Sequence, residues 1–235
     1  MESSTVADLR QPDHVSARSR AWAVLELVLA AAFIILTKLH KLPRPDTMWL
    51  LALGWISLRV RHRGWGSVGL RRPASWGKVF VAALVAAVAL QAVSLWITVP
   101  LATRLTGQPP DLSEFHELIG NWKLALLGLL VTWTLAAFGE EMANRGYLMN
   151  RVADLGPRTR GAWIASLFVV SVLFGFAHAY QGPAGVLEEG LAGLLLGLMY
   201  LGCGRNLVVP VVAHGLQDTI DLVLIFLGRF PGMQS

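Results

Sequence analysis

The chain is short of charge and almost without cysteine. Of its 235 residues only 15% are Asp, Glu, Lys or Arg, against about a quarter in an ordinary soluble domain. The lone cysteine, Cys203, excludes an intrachain disulfide and any multi-cysteine metal centre. No internal repeat and no low-complexity tract is present, and no linker is long enough to separate a pair of folded units. What fills the chain is apolar: 54% of the residues are hydrophobic and the mean hydropathy is +0.55.

Several apolar runs approach or exceed the roughly 20 residues that a bilayer-spanning helix needs. The candidate spans are 21–39, 47–60, 77–101, 122–150, 162–180, 184–201 and 207–228, the second being short. The expected fold class is therefore all-α, a polytopic transmembrane helical bundle of about seven spans. A polar N-terminal tail at 1–20 precedes a single membrane domain over 21–235. The run 21–39 is longer than the apolar part of a signal peptide and has no clear small-residue cleavage site, so it reads as a retained span. Residues 61–76 form a basic, Trp-bearing loop at the interface. Residues 104–120 form a polar loop with Pro109, Pro110 and the acidic Asp111, Glu114 and Glu117.

The net charge of +5 comes from cations set between apolar segments. Anchoring and orienting helices explains them, and no nucleic-acid partner is expected. With the N-terminus inside and Arg145 left out, inner connections hold thirteen Lys and Arg and outer ones six. That bias places the N-terminus in the cytoplasm, and the N-terminal and loop composition fits an integral protein of a prokaryotic inner membrane. The connection QGPAG at 181–185 carries no charge. It reads as a tip buried within the membrane, so the hairpin 162–201 need not cross fully. Gly193 and Gly197 have the spacing that lets two spans approach closely.

Polar clusters inside these apolar runs are the informative feature, because ionisable groups in hydrocarbon are costly. Glu141 and Arg145 stand at i,i+4 and can pair on one helix face, while Glu140 points about 100° away. His178 shares a face with Phe174. His214 and Asp218, again at i,i+4, put an imidazole and a carboxylate together, able to hold a water or a metal. Glu188 and Glu189 read either as the solvated end of a span or as a second acidic pair in a cavity. Two carboxylates and two histidines around one cavity suit activation of water, a carboxylate taking the proton while imidazoles position it or stabilise an oxyanion. Glu with two His is also a catalytic zinc set with an open position. The one-helix HExxH signature is absent.

The order EExxxR at 140–145, FxxxH at 174–178 and HxxxD at 214–218 resembles the CPBP intramembrane protease family. That family takes in the type II CAAX prenyl endopeptidases and bacterial Abi and bacteriocin-processing proteins. The resemblance covers about 121–222, and GLRRPASW before the third span also looks like the family's approach to its core. It implies a membrane bundle of eight or fewer helices, a cavity open to one side and hydrolysis of a peptide bond in a membrane-proximal protein or peptide. By motif position Glu140 would activate water and His178 would help hold it. His214 and Asp218 would stabilise the oxyanion or bind metal, and Glu141 and Arg145 would complete the site. If a metal is present, most readily zinc, Glu140, His178 and His214 would ligate it, with Asp218 available. The family's last motif position is Asn or Asp; Asp218 in ionised form cannot donate to an oxyanion. Two other functions fit the same residues: a non-catalytic immunity or scaffold protein of this fold, and a small proton-coupled transporter.

Overall fold

The computed structural model describes residues 16–43 and 45–231. Most of the expected polar tail at 1–20, and Arg44 among the outer cations, lie outside the described residues. Seven helices follow in order: α1 (Ala17–Lys38), α2 (Asp46–Val60), α3 (Trp76–Thr106), α4 (Trp122–Ala153), α5 (Arg160–Ala177), α6 (Gly182–Gly202) and α7 (Val208–Phe226). No strand occurs among the described residues. By length and composition every helix but α2 suffices to cross a membrane. The 15-residue α2 is the short second segment expected from the sequence. The chain is an integral membrane protein of all-α fold.

Starts and stops obey local chemistry. Ser16, Ser75, Asn121 and Thr159 each accept a backbone N–H of the first turn of α1, α3, α4 and α5, satisfying donors that a helix end leaves free. Gly107, at φ 81°, ends α3 in the left-handed conformation. Buried faces are built from small residues, Ala23 and Ala30 on α1 and Ala83 and Ala87 on α3, while Val28, Val85 and Trp96 point outward. That inversion of the soluble pattern suits lipid contact outside and close helix packing inside.

One sequence expectation is revised here. At QGPAG, residues 179–181 make one tight turn with Gln181 buried, and α6 begins at Gly182 with Pro183 in its first turn, where Pro costs no hydrogen bond. The loop expected over 104–120 is shortened by α3, which runs to Thr106, and holds a helical turn at Ser113–Leu118.

Helix lengths set the depth of the site. α4 has 32 residues and α5 only 18, at most about 48 Å against about 27 Å at 1.5 Å per residue. α7 does not start level with the foot of α4. Leu207, just before α7, packs against Gly146, seven residues short of the end of α4. This offset raises His214 toward Glu141. Much of α4 is wound as wide π-helical turns, Thr132–Glu140 and Met142–Leu148, a rare geometry that recurs at functional sites. Side-chain amides cover carbonyls there: Asn144 donates to the carbonyl of Glu140 at 2.9 Å and Asn150 to that of Gly146 at 2.9 Å.

One end of the bundle is basic and internally braced. Glu26, in mid-α1, accepts from Ser57 at 2.8 Å, from Tyr147 at 3.3 Å and from Arg61. Arg151 pairs with Asp154 at 2.9 Å and stands 3.9 Å from Glu26. This ties α1, α2 and α4 together.

Candidate active site

Phe174 is the hub. Its ring lies 4.8 Å below the Arg145 guanidinium, 4.8 Å from His178 and 6.4 Å from His214. It reaches all three because α5 and α6 pack backbone to backbone. A Cβ on Gly193 would stand 3.1 Å from the Phe174 ring, and one on Gly175 would overlap the carbonyl oxygen of Val186. The Gly193–Gly197 spacing thus lies against α5.

Behind the cavity wall is a dry ionic pair. Glu141 is 0% exposed and Arg145 1%, and Arg145 Nη1 donates to Glu141 Oε1 at 2.6 Å. Arg145 Nη2 donates to the carbonyl of Gly193 at 2.8 Å. These bonds and the Phe174 face use the guanidinium as a brace between α4, α5 and α6. The same Glu141 oxygen lies 3.0 Å from Nδ1 of His214, whereas Oε2 has no partner. Nε2 of His214 stands 3.4 Å from Asp218 Oδ2. Each nitrogen of His214 faces a carboxylate oxygen, so the ring can serve as a double N–H donor. His178 caps the end of α5, its Nδ1 2.9 Å from the carbonyl of Phe174.

Glu140 stands apart from the dry pair. Its carboxylate makes no hydrogen bond among the described residues, and it lies on the wall shared by two cavities. The smaller, about 230 Å³, opens between α1, α2 and α5 and is lined by Lys38, Asp46 and Asn144. The larger, about 340 Å³, lies between α4, α6 and α7. Phe174, His178 and Tyr180 join Glu140 in bordering both. His214 and Asp218 line the larger one; Glu141 and Arg145 line neither.

Glu188 and Glu189 face the larger cavity, so the solvated reading of that pair is overturned. The rotation of α6 decided this, since its glycine face must meet α5. Sequence reasoning passed over Gln217, which lines the same cavity three residues on from His214. That spacing was the available signal. The loop 107–121 roofs the cavity with Leu112, Phe115 and Leu118. It is tied down by the N–H of Asp111 to the carbonyl of Gln181 and that of Gly120 to Phe226, each 2.9 Å. The N–H of Ser113 donates to the Asp111 carboxylate and holds its pKa below the usual carboxylate range.

The residues named as zinc ligands fit a metal poorly. Among the described residues no three His, Cys, Asp or Glu side chains converge as a metal set. His214 has both ring nitrogens turned to carboxylates, and His178 has one on a backbone carbonyl.

No curated protein and no solved structure matches the chain. Residues 121–220, from the start of α4 into α7, match the family model of the type II CAAX prenyl endopeptidase, Rce1-like proteins. Over the four helices that carry the polar groups of this site the chain is similar to the CAAX-type protease family, a match that spans less than half of its length.

Proposed function

We propose that the chain is an intramembrane endopeptidase that cleaves a peptide bond in a membrane-proximal segment of a protein or peptide. The observation that carries this reading is the position of Glu140. It is an unpaired carboxylate on the wall between two cavities, with His178 beside it and His214 and Asp218 on the same larger cavity.

The chemistry follows from these groups. The Glu140 carboxylate takes a proton from a water in the cavity as that water attacks the scissile carbonyl. The carbonyl oxygen becomes an oxyanion, met by the Nε2–H of His214, whose contact to Asp218 is long at 3.4 Å, while His178, giving its Nδ1–H to the Phe174 carbonyl, accepts from the water at Nε2. Glu141 and Asp218 hold the His214 ring in place, and Arg145 holds Glu141. Glu140 then returns its proton to the leaving amine as the carbon–nitrogen bond breaks. In this scheme Asp218 acts through His214 and need not donate to the oxyanion itself. The roof at 107–121 keeps bulk water out, and the smaller cavity offers a second route for chain entry. No step is routed through a metal, since the donor set does not gather one.

We place the protein in a prokaryotic cytoplasmic membrane with its basic end inside, from the distribution of Lys and Arg. The test is cleavage of a quenched-fluorescent library of membrane-proximal peptides by the purified protein, beside Glu140→Gln and His214→Ala. Loss of a general base costs about 10²–10⁴ in rate, so Glu140→Gln should fall by that factor. Cleavage unchanged in both variants would sink the assigned site, and pH-driven flux without cleavage would favour a transporter. Chelator sensitivity reversed by zinc would replace the metal-free scheme.

A further inference from the structure

The larger cavity holds more acid than the proposed reaction uses. Besides Glu140 and Asp218, its wall carries Glu188, Glu189 and Asp221. No Lys or Arg lines it, and its two imidazoles belong to the reacting centre. Glu188 accepts from the Ser94 hydroxyl at 2.6 Å and Asp221 from the Gln91 amide at 2.7 Å. Both donors are neutral and come from α3. Glu189 accepts no hydrogen bond among the described residues. Negative charge gathered inside a helix bundle without a cation is costly, and such charge marks a function or a missing partner.

A second observation, independent of charge, points to a ligand. Gln217 lies on the same wall, one turn before Asp221, and is 9% exposed. Its amide has no hydrogen-bond partner among the described residues. A buried amide keeps both a donor and an acceptor unmet only where something else is to meet them. The same cavity also has an apolar lining: Ile225 one turn beyond Asp221 on α7, and Phe115 and Leu118 from the loop 107–121.

Acid, an idle amide and an adjoining apolar lining in one cavity describe a receptor for a long cationic side chain. Lys and Arg have that form, an apolar stem with a charged head. We propose that Glu188, Glu189, Asp221 and Gln217 form a specificity subsite for a Lys or Arg of the peptide substrate, adjacent to the scissile bond. The head group sits among the three carboxylates. The stem follows the apolar wall, and Gln217 pairs with the neighbouring peptide group. The assignment rests on the endopeptidase reading for its substrate class.

The experiment uses the full chain in phosphatidylcholine nanodiscs. The probes are two sets of leucine- and alanine-rich quenched-fluorescent decapeptides. One carries a single Lys walked along the sequence, and the other carries norleucine, which keeps most of the stem and lacks the charge. The readout is the ratio of kcat/KM for Lys over norleucine at each position. One position should favour Lys by about 10-fold or more, the scale of a buried charge pair. Glu189→Gln and Asp221→Asn, made singly, should each bring that ratio toward one. A wild-type ratio near one at every position overturns the subsite, as does a ratio that both variants leave unchanged.

Binding of the same peptides, fluorescently labelled, to the Glu140→Gln protein separates the two claims. Tighter binding of the Lys peptide, lost in Glu140→Gln/Glu189→Gln, supports the subsite even if no peptide is cleaved, and the endopeptidase reading then fails by itself. Equal binding of both peptides overturns the subsite whatever the cleavage result. Displacement of the Lys peptide by millimolar Mg²⁺ or Ca²⁺ would make the corner an inorganic cation site and also overturn it.

Discussion

Replacing Arg145 by Met should destabilise the protein far more than removing Arg145 and the Glu141 charge together. Arg145 is 1% exposed and gives one hydrogen bond to Glu141 and another to the carbonyl of Gly193. Its guanidinium also covers the Phe174 ring. Met fills much of the same volume, so the cavity left is small. What remains is the Glu141 carboxylate, 0% exposed, with Oε2 already unpartnered and only Nδ1 of His214 nearby. Breaking a buried pair from one side costs about 3–5 kcal/mol, because the surviving charge is stranded. Removing both charges avoids that penalty and leaves the lost bond to Gly193, about 0.5–1.5 kcal/mol. The assay is equilibrium unfolding in bicelles by steric trapping, on wild type, Arg145→Met, Glu141→Gln and Glu141→Gln/Arg145→Met. The expected order puts the double variant at least about 2 kcal/mol above Arg145→Met, a coupling typical of contacting residues. A double variant no more stable than Arg145→Met would refute the buried-pair argument and leave Arg145 stabilising through Gly193 and Phe174 only.

Other outcomes follow from the same contacts. Glu26→Ala removes the acceptor shared by Ser57, Tyr147 and Arg61 and leaves Arg61 without its carboxylate, while Arg151 keeps Asp154; a loss of about 3 kcal/mol is expected in the same assay, and a change below about 1 kcal/mol would show the brace to be idle. Gly175→Ala drives a Cβ into the Val186 carbonyl, so the α5–α6 contact should open at a cost of about 1–3 kcal/mol; Gly77→Ala, where nothing lies within 4 Å, is the control. Cys203 is exposed just past α6, at the basic end. Partial burial pushes its thiol pKa up, so the thiolate fraction at neutral pH is reduced. Maleimide labelling should therefore quicken from about pH 7 to about pH 9, and in intact cells only a membrane-permeant reagent should react; labelling by an impermeant reagent from outside would invert the orientation.

How much was legible depended on the range of each contact. The pairs Glu141–Arg145, Phe174–His178 and His214–Asp218 were readable because helix pitch brings residues four apart onto one face. The structure adds that His178 is not inside its helix but caps it. The bond from His214 to Glu141 joins residues 73 apart, and nothing local announces it. The two readings of Glu188 and Glu189 stayed open in the sequence for the same reason. On a helix apolar all round, the sequence pattern does not say which side meets protein. The π turns of α4 were invisible too, since they depend on tertiary contacts and on amides such as Asn144 and Asn150 covering freed carbonyls.

Composition and run length, by themselves, determined that this is a helical membrane protein, because hydrocarbon leaves the backbone no other partner than its own helix. Order and spacing of the polar residues carried the resemblance to a protease family over 121–220. Rotation and axial offset of the helices belonged to tertiary structure: the short α5, the late start of α7 at Leu207 and the glycine seam between α5 and α6. Those features set Glu140 between two cavities, hide Glu141 and Arg145 behind them and turn Gln217 inward. Depth and facing are settled by packing between helices, which no single segment encodes.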